Sequence, residues 1–304
     1  MTDPKDWTSA VVTRQQPMRP LPTDVKPILR RIGGIRAVVF DVYGTLLISG
    51  SGEVGTAEDP PGDASLKDPM QQVMASLGVP ADVAPTHSDL RQAIAAENDA
   101  RRSRQRPYPE IEIVNVWREL FRREGLISFG DDSVAGDSAS RPGTGRLVRA
   151  ADEFEALANP TWPMPGASEV LGQLSDRFPL GIVSNAQVFT IDLIESLCGA
   201  PLMRGPFDLD LCVFSNRFRQ SKPGPRLFEF LKAMLHRRGI SAGETLYVGN
   251  DRLNDVWAAG QAGLKTAWFA GDRRSLRRRV GDPRCDGKKP DVVVTALTQL
   301  LDCV

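Results

Sequence analysis

The chain carries no net charge. Its 38 lysines and arginines balance 38 aspartates and glutamates over 304 residues. That balance removes the electrostatic drive that brings basic proteins to nucleic acid or to anionic membranes. Histidine is nearly missing too. His87 and His236 are isolated, so neither a catalytic triad nor a histidine metal set can be assembled from them. The four cysteines, Cys198, Cys212, Cys285 and Cys303, are scattered without metal-ligand spacing. They read as reduced thiols of a cytoplasmic protein, with Cys212 in the core. No apolar run is long enough to span a bilayer, and Met1 to Val12 lack the apolar stretch of a secretory signal. No internal repeat is present. The expectation is a cytoplasmic monomer or homodimer that acts on a small molecule, with no part for nucleic acid or membrane.

The remainder is ordinary for a globular chain, with 41% hydrophobic and 25% charged residues, and long enough to bury a sizeable core. Residues 1–30 are rich in Pro, Thr and Gln and show no period. They read as an extension, partly disordered or draped over the body. The apolar run at 36–40 reads as a buried strand ending at Asp41, followed at once by a Gly44-Thr45 turn. Flexible stretches at 49–52 and 59–63 then lead into helical periodicity from about 66 to 158. Met70, Val73, Met74 and Leu77 mark one such stretch; Val114, Trp117, Leu120 and Phe121 mark another; Phe154, Leu157 and Ala158 mark a third. Residues 129–146 have the composition of a loop.

Beyond Pro160 the patterns alternate. Strands are predicted at 180–183, 209–214, 245–248, 265–269 and 291–294. Helices are predicted at 187–197, at 225–238 with Leu227, Phe230, Leu231 and Leu235 on one face, and at 255–263. Such alternation predicts an α/β fold, a doubly wound parallel sheet of Rossmann type with helices on both faces. The domain division is then 1–30 as extension, 31–50 with 159–304 as core, and 51–158 as a helical insertion.

Four strand ends carry polar groups: Asp41 and Thr45; Ser184 and Asn185; Lys222, one loop beyond a strand; and Asn250, Asp251 and Asp255. In a parallel sheet these ends share one edge, so residues distant in sequence converge where open α/β sheets bind ligands.

The four groups together resemble the motifs of the haloacid dehalogenase superfamily of hydrolases. Asp-x-x-Gly-Thr is matched by Asp41 to Thr45, the post-strand Ser by Ser184, the Lys-Pro pair by Lys222-Pro223, and the acidic fourth motif by Val248-Gly249-Asn250-Asp251 with Asn254-Asp255. The resemblance implies that the insertion is a helical cap and that Asp41 is a nucleophile forming a covalent intermediate. It assigns Thr45 and Ser184 to oxygens of the transferred group, and Lys222 to the charge of Asp41 and an incoming anion. Tyr43 and Asn185 stand as substrate-binding residues. A Mg2+ ion would be held by Asp41, the Tyr43 backbone carbonyl, Asp251 and Asp255.

Two departures leave the reaction open. Family phosphatases carry a second Asp where this chain has Tyr43, and many members carry an acid where it has Asn250. The family's dehalogenases do have Tyr in Asp-x-Tyr-Gly-Thr, since halide leaves without a proton. The leading expectation is Mg2+-dependent hydrolysis of a small phosphorylated metabolite with a good leaving group. The alternatives are a 2-haloacid dehalogenase-like enzyme and a binding protein with a degraded site. Two arginine clusters stand out: Arg101, Arg102, Arg104 and Arg106 beside Tyr108 read by default as a solvated helix face, with one of them able to grip a carboxylate, and Arg273, Arg274, Arg277, Arg278 and Arg279 read by default as solvated surface or as ion pairs with acids elsewhere.

Overall fold

The computed structural model describes residues 10–51, 68–127 and 145–304. The expected loop at 129–146 and the flexible stretch at 59–63 fall wholly or almost wholly outside these residues.

Six parallel strands form one sheet in the order β5-β4-β1-β6-β7-β8. They are β1 (Ala37–Phe40), β4 (Leu180–Ser184), β5 (Phe207–Phe214), β6 (Thr245–Gly249), β7 (Lys265–Phe269) and β8 (Val292–Val294). A separate two-stranded ribbon pairs β2 (Leu47–Ser49) antiparallel to β3 (Thr161–Pro163). Alternate residues of β1 point to opposite faces, as the strand period of two requires. Val38 and Phe40 enter one core with Val170, Leu171, Leu193 and Ile194. Ala37 and Val39 enter another with Leu227, Phe228, Leu231 and Leu235. Both faces are covered, which is why β1 reads as an unbroken apolar run.

The helix Arg226–Arg237 corrects one predicted face. Phe228, not Phe230, packs into the sheet. Phe230 is 37% exposed and stacks on Phe218 with ring centroids 4.8 Å apart. The predicted helix at 255–263 also differs. Residues Arg252–Trp257 form a π-type turn, and only Ala258–Gln261 are α-helical.

The helical insertion leaves the core through β2 and returns through β3. Its helices Pro69–Ser76, His87–Arg101, Ile113–Arg123 and Arg146–Ala158 bury Met70, Met74, Leu90, Trp117, Phe121 and Phe154. The last helical turn before Asn159 and the strands of the ribbon are tied by the Ser49 hydroxyl, which donates to Asn159 at 2.8 Å.

The N-terminal segment drapes over this frame. Ala10–Thr13 form a helical turn whose backbone N–H groups at Ala10 and Val11 donate to Asp152 of the insertion at 2.6 and 3.3 Å. Further along, Ile28 pairs with Val293 of edge strand β8. Among the described residues no helix is long and apolar enough to cross a membrane.

Candidate active site

β1 lies between β4 and β6, so the chain reverses its order across the sheet at β1. That reversal opens a crevice at the C-terminal ends of the strands. Asp41 follows β1 directly, and its N–H donates to Val248 of β6 at 2.9 Å. The tight turn after it needs Gly44. Its φ is +77°, and a Cβ there would stand 2.4–2.6 Å from Ser275 and Asn250 side-chain atoms. Gly249 is fixed by packing instead, because a Cβ would strike the Asp255 side chain at 2.3–2.5 Å.

A cavity of about 60 Å³ at this edge is lined by Asp41, Tyr43, Ser184, Asn185, Lys222 and Asn250, together with Asp251, Asn254, Asp255 and Arg277. Lys222 is the hub. Its Nζ donates to Asp41 Oδ1 at 2.7 Å, to Asp255 Oδ1 at 2.6 Å and to the Tyr247 hydroxyl at 3.0 Å. Burial opposes the lysine charge, but Asp255 and Asp41 outweigh it and hold the pKa above the ordinary lysine value. Asp255 carries a raised pKa as well. Burial pushes its carboxyl up to about 7 against the attraction of Lys222, and the charges of Asp41 and Asp251 add to the rise. One cation is shared by two carboxylates, and Asp255, the more deeply buried, is held near neutrality.

Ser184 Oγ also donates to Asp41 Oδ1, at 2.8 Å. Both fixed partners therefore hold the same oxygen, and Oδ2 is the oxygen left to attack. Asn185 lines the cavity and accepts from the Lys222 backbone N–H at 2.8 Å, which sets the loop that carries the lysine. The same loop is braced from the insertion, where Ser221 N–H donates to Tyr108 C=O at 3.1 Å and Pro109 bridges to Gln220.

Two expected site residues have other partners. The Thr45 hydroxyl is fully buried and donates to Asn250 Oδ1 at 3.2 Å, so it positions Asn250 and does not line the cavity. The Tyr43 hydroxyl shares a hydrogen bond with Thr190 at 2.9 Å. Burial, reinforced by the charge of Glu155, pushes the Tyr43 phenol pKa well up. The insertion's arginine cluster is not in the lining. Arg101 pairs with Glu97 and Arg102 with Asp99.

A family model for haloacid dehalogenase-like hydrolases matches residues 35–263. The chain belongs to this family. Among solved structures this hydrolase is similar to a 2-haloacid dehalogenase from Pseudomonas syringae pv. Tomato DC3000, at 22% identity over 88% of this chain and 97% of that one, with TM-score 0.54. It is also similar to the defluorinating L-2-haloacid dehalogenase Rha0230, at 19% identity over 90% and 98% of the two chains, with TM-score 0.51. A HAD phosphatase from Thermococcus onnurineus aligns at 20% identity over 88% and 96%, with TM-score 0.46. At these identities the first two likenesses establish the fold alone. No curated protein matches the chain.

Two of the four expected Mg2+ donors of this hydrolase, Asp251 and Asp255, are engaged elsewhere. Arg279 Nε lies 3.1 Å from both oxygens of Asp251, and its Nη2 donates to Oδ2 at 2.5 Å. Asp251 Oδ1 also caps the following turn, accepting from Leu253 and Asn254 N–H at 2.8 and 3.2 Å. Asp255 gives Oδ1 to Lys222 and Oδ2 to the Asp251 N–H at 2.8 Å. Among the described residues no three Asp, Glu, His or Cys side chains converge as a metal-holding group. A guanidinium on Asp251 already supplies the positive charge a cation would bring. The set Asp41, Tyr43 carbonyl, Asp251 and Asp255 does not fit Mg2+ in this arrangement.

Arg277, Arg279 and Tyr247 join the site without a motif to announce them. The two arginines sit in a run of five that has the composition of a solvated surface, and Tyr247 sits inside an apolar strand. The only sequence signal for Tyr247 is a hydroxyl two residues before Gly249.

Proposed function

We propose that this hydrolase is a metal-independent dehalogenase that displaces halide from a small 2-haloacid through an ester on Asp41. The observation that carries this reading is Tyr43. It occupies the place of the phosphatase acid, its hydroxyl is bonded to Thr190, and burial keeps its proton in place. A leaving group that needs no proton suits such a site. The Arg279–Asp251 pair supports the same reading by taking up the carboxylate that a metal would need.

In the first step Asp41 Oδ2 attacks the halogen-bearing carbon. The C–O bond forms, the C–X bond breaks, and halide departs with the electron pair. Lys222 and Ser184 hold Oδ1 throughout. In the second step water adds to the ester carbonyl carbon, and charge developing on Oδ1 is met by the same two donors. Asp255, with a pKa of about 7, accepts the proton of that water. The 2-hydroxy acid leaves with a proton, Asp41 is restored as carboxylate, and one proton goes to solvent with the halide. The helical insertion acts as the cap, its 108–110 segment resting on the Lys222 loop.

The Mg2+-dependent phosphohydrolase reading keeps one supporting observation, that Asp251 and Asp255 line the cavity beside Asp41. A panel of 2-chloropropionate, fluoroacetate and acyl phosphates, assayed for halide and phosphate with and without EDTA, separates the two. The expected result is halide release unchanged by EDTA and lost by at least about 10⁴-fold in Asp41→Asn. Phosphate release that requires Mg2+ overturns the dehalogenase reading.

A further inference from the structure

The helical insertion touches the core beside the site through a carboxyl that the proposed chemistry does not use. Glu110 follows Tyr108-Pro109 and does not line the cavity. Its Oε2 accepts from the Ser215 hydroxyl at 2.5 Å, and its Oε1 accepts from Gln187 Nε2 at 3.1 Å. Ser215 opens a short helical turn after β5, and Gln187 lies just beyond the Ser184-Asn185 end of β4. We infer that Glu110 is a positioning residue of this hydrolase, holding the Ser184-Asn185 turn in place beside Asp41 from the insertion side.

Both partners of Glu110 act on that turn. Ser215 Oγ accepts from the Ala186 N–H at 2.9 Å, directly after Asn185. Gln187 Nε2 also donates to Ile111 C=O at 3.0 Å, and Gln187 Oε1 accepts from the Ile113 N–H at 3.0 Å. The Gln187 N–H donates to Thr190 Oγ1 at 3.0 Å, the same oxygen that meets the Tyr43 hydroxyl. Glu110 is itself fixed by its backbone. Its N–H donates to Arg219 C=O at 3.3 Å, beside the Pro109–Gln220 bridge and the bond from Ser221 N–H to Tyr108 C=O. The Tyr108 hydroxyl accepts from Arg284 Nη1 at 2.7 Å, which anchors the other end of the segment. Burial pushes the Glu110 carboxyl up to about 7, against hydrogen bonds from Ser215, the Ile111 N–H and Gln187. The acid can therefore stand here with its proton, donating to Ser215 Oγ while the Ser215 hydroxyl turns to Ala186 C=O at 3.5 Å. Glutamine can make that same pattern of bonds, with its amide N–H on Ser215 and its carbonyl toward Gln187. Alanine can make none of it.

This inference rests on the proposed dehalogenation only for its turnover assay. Wild type, Glu110→Ala and Glu110→Gln are compared on 2-chloropropionate, and amide hydrogen exchange is followed in peptides covering residues 184–190, with β7 and β8 as the control. Thermal unfolding confirms that each variant is folded. Glu110→Ala is expected to lower kcat about 10²-fold, the cost of a group displaced by about 1 Å, with a smaller change in KM. Exchange at 184–190 should quicken by about tenfold or more while the control peptides keep their rates. Glu110→Gln should restore both readouts to within a few-fold of wild type. If Glu110→Ala does not fold, Ser215→Ala cuts the same link from the core side and should show the same two losses. Wild-type kcat and exchange in the alanine variant, equal losses in Glu110→Ala and Glu110→Gln, or exchange that quickens equally in the control strands overturns the inference. If the wild type releases no halide, the dehalogenase reading falls and exchange alone decides: quickening confined to 184–190 and reversed by glutamine upholds the positioning role, and unchanged exchange overturns it.

Discussion

Lys222 and Arg279 each neutralise acids around one cavity, but they do so under different conditions. The Lys222 side chain is 3% exposed and is shared by Asp41 and Asp255, both also buried. The Arg279 side chain is 33% exposed and faces Asp251. Lys222 is reached through a loop braced by Asn185 and by the insertion. Arg279 stands at φ 51°, a left-handed conformation that costs a non-glycine residue of order 1 kcal/mol. The buried system cannot lose a member without stranding a charge. The outer one can lose its arginine and let water or a cation take its place. The first therefore fixes the nucleophile, and the second decides what else the site can hold.

Removing the hub should have the largest effect. Lys222→Met is expected to destabilise the fold by about 3–5 kcal/mol at pH 8, because two buried carboxylates are left facing one another. The loss should shrink at pH 5. Asp255 has a folded pKa of about 7, above its ordinary 3.8. The folded state thus holds a proton that the unfolded chain gives up, and stability linked to this group is full below about pH 4 and falls as pH rises through 7. Urea unfolding at the two pH values checks this. An equal loss at both would break the view of one cation serving two acids.

Removing the outer arginine should cost less and reveal more. Arg279→Met is expected to lose about 1–2 kcal/mol, given its partial exposure. It should also acquire a Mg2+-dependent rise in Tm, reversed by EDTA, that the wild type lacks. A wild-type Tm that already rises with Mg2+ would show Asp251 binding metal in spite of Arg279 and would erase the contrast between the two pairs.

The parts of this site that belong to strand ends are legible in the amino-acid pattern. Apolar runs buried on both faces announce β1, β4 and β6, and the residue after each run must lie at the sheet edge. Asp41 and Ser184 stand there for that reason, and Lys222 and Asp255 join them from the loop after β5 and the turn after β6. The helix face carrying Phe228 is less legible, because phenylalanines at 228 and 230 give two competing faces and only the sheet decides between them. Arg277 and Arg279 have no such signal. They meet Asp251 through a bridge between two loops, Asp251 with Arg277, and loop-to-loop register leaves no period in sequence. The motif assigns Thr45 to the substrate, but its hydroxyl turns to Asn250, a partner from the far end of the chain.

The smallest effect tests the residue on which the reaction turns. Tyr43→Phe removes one hydrogen bond, to Thr190 at 2.9 Å. Thr190 Oγ1 keeps a second partner, the Gln187 N–H at 3.0 Å, so the deletion leaves it satisfied. The expected cost is about 1 kcal/mol in stability. The change in kcat should be less than about tenfold, because a group that donated the leaving-group proton would be worth about 10²–10⁴-fold. Halide release with Tyr43→Phe reads this directly. A loss of several hundredfold with an intact fold would make the phenol part of the chemistry. The site would then lie closer to a phosphatase, with Tyr43 in place of the acid, and the weight now placed on Arg279 as the substitute for a metal would have to move to Tyr43.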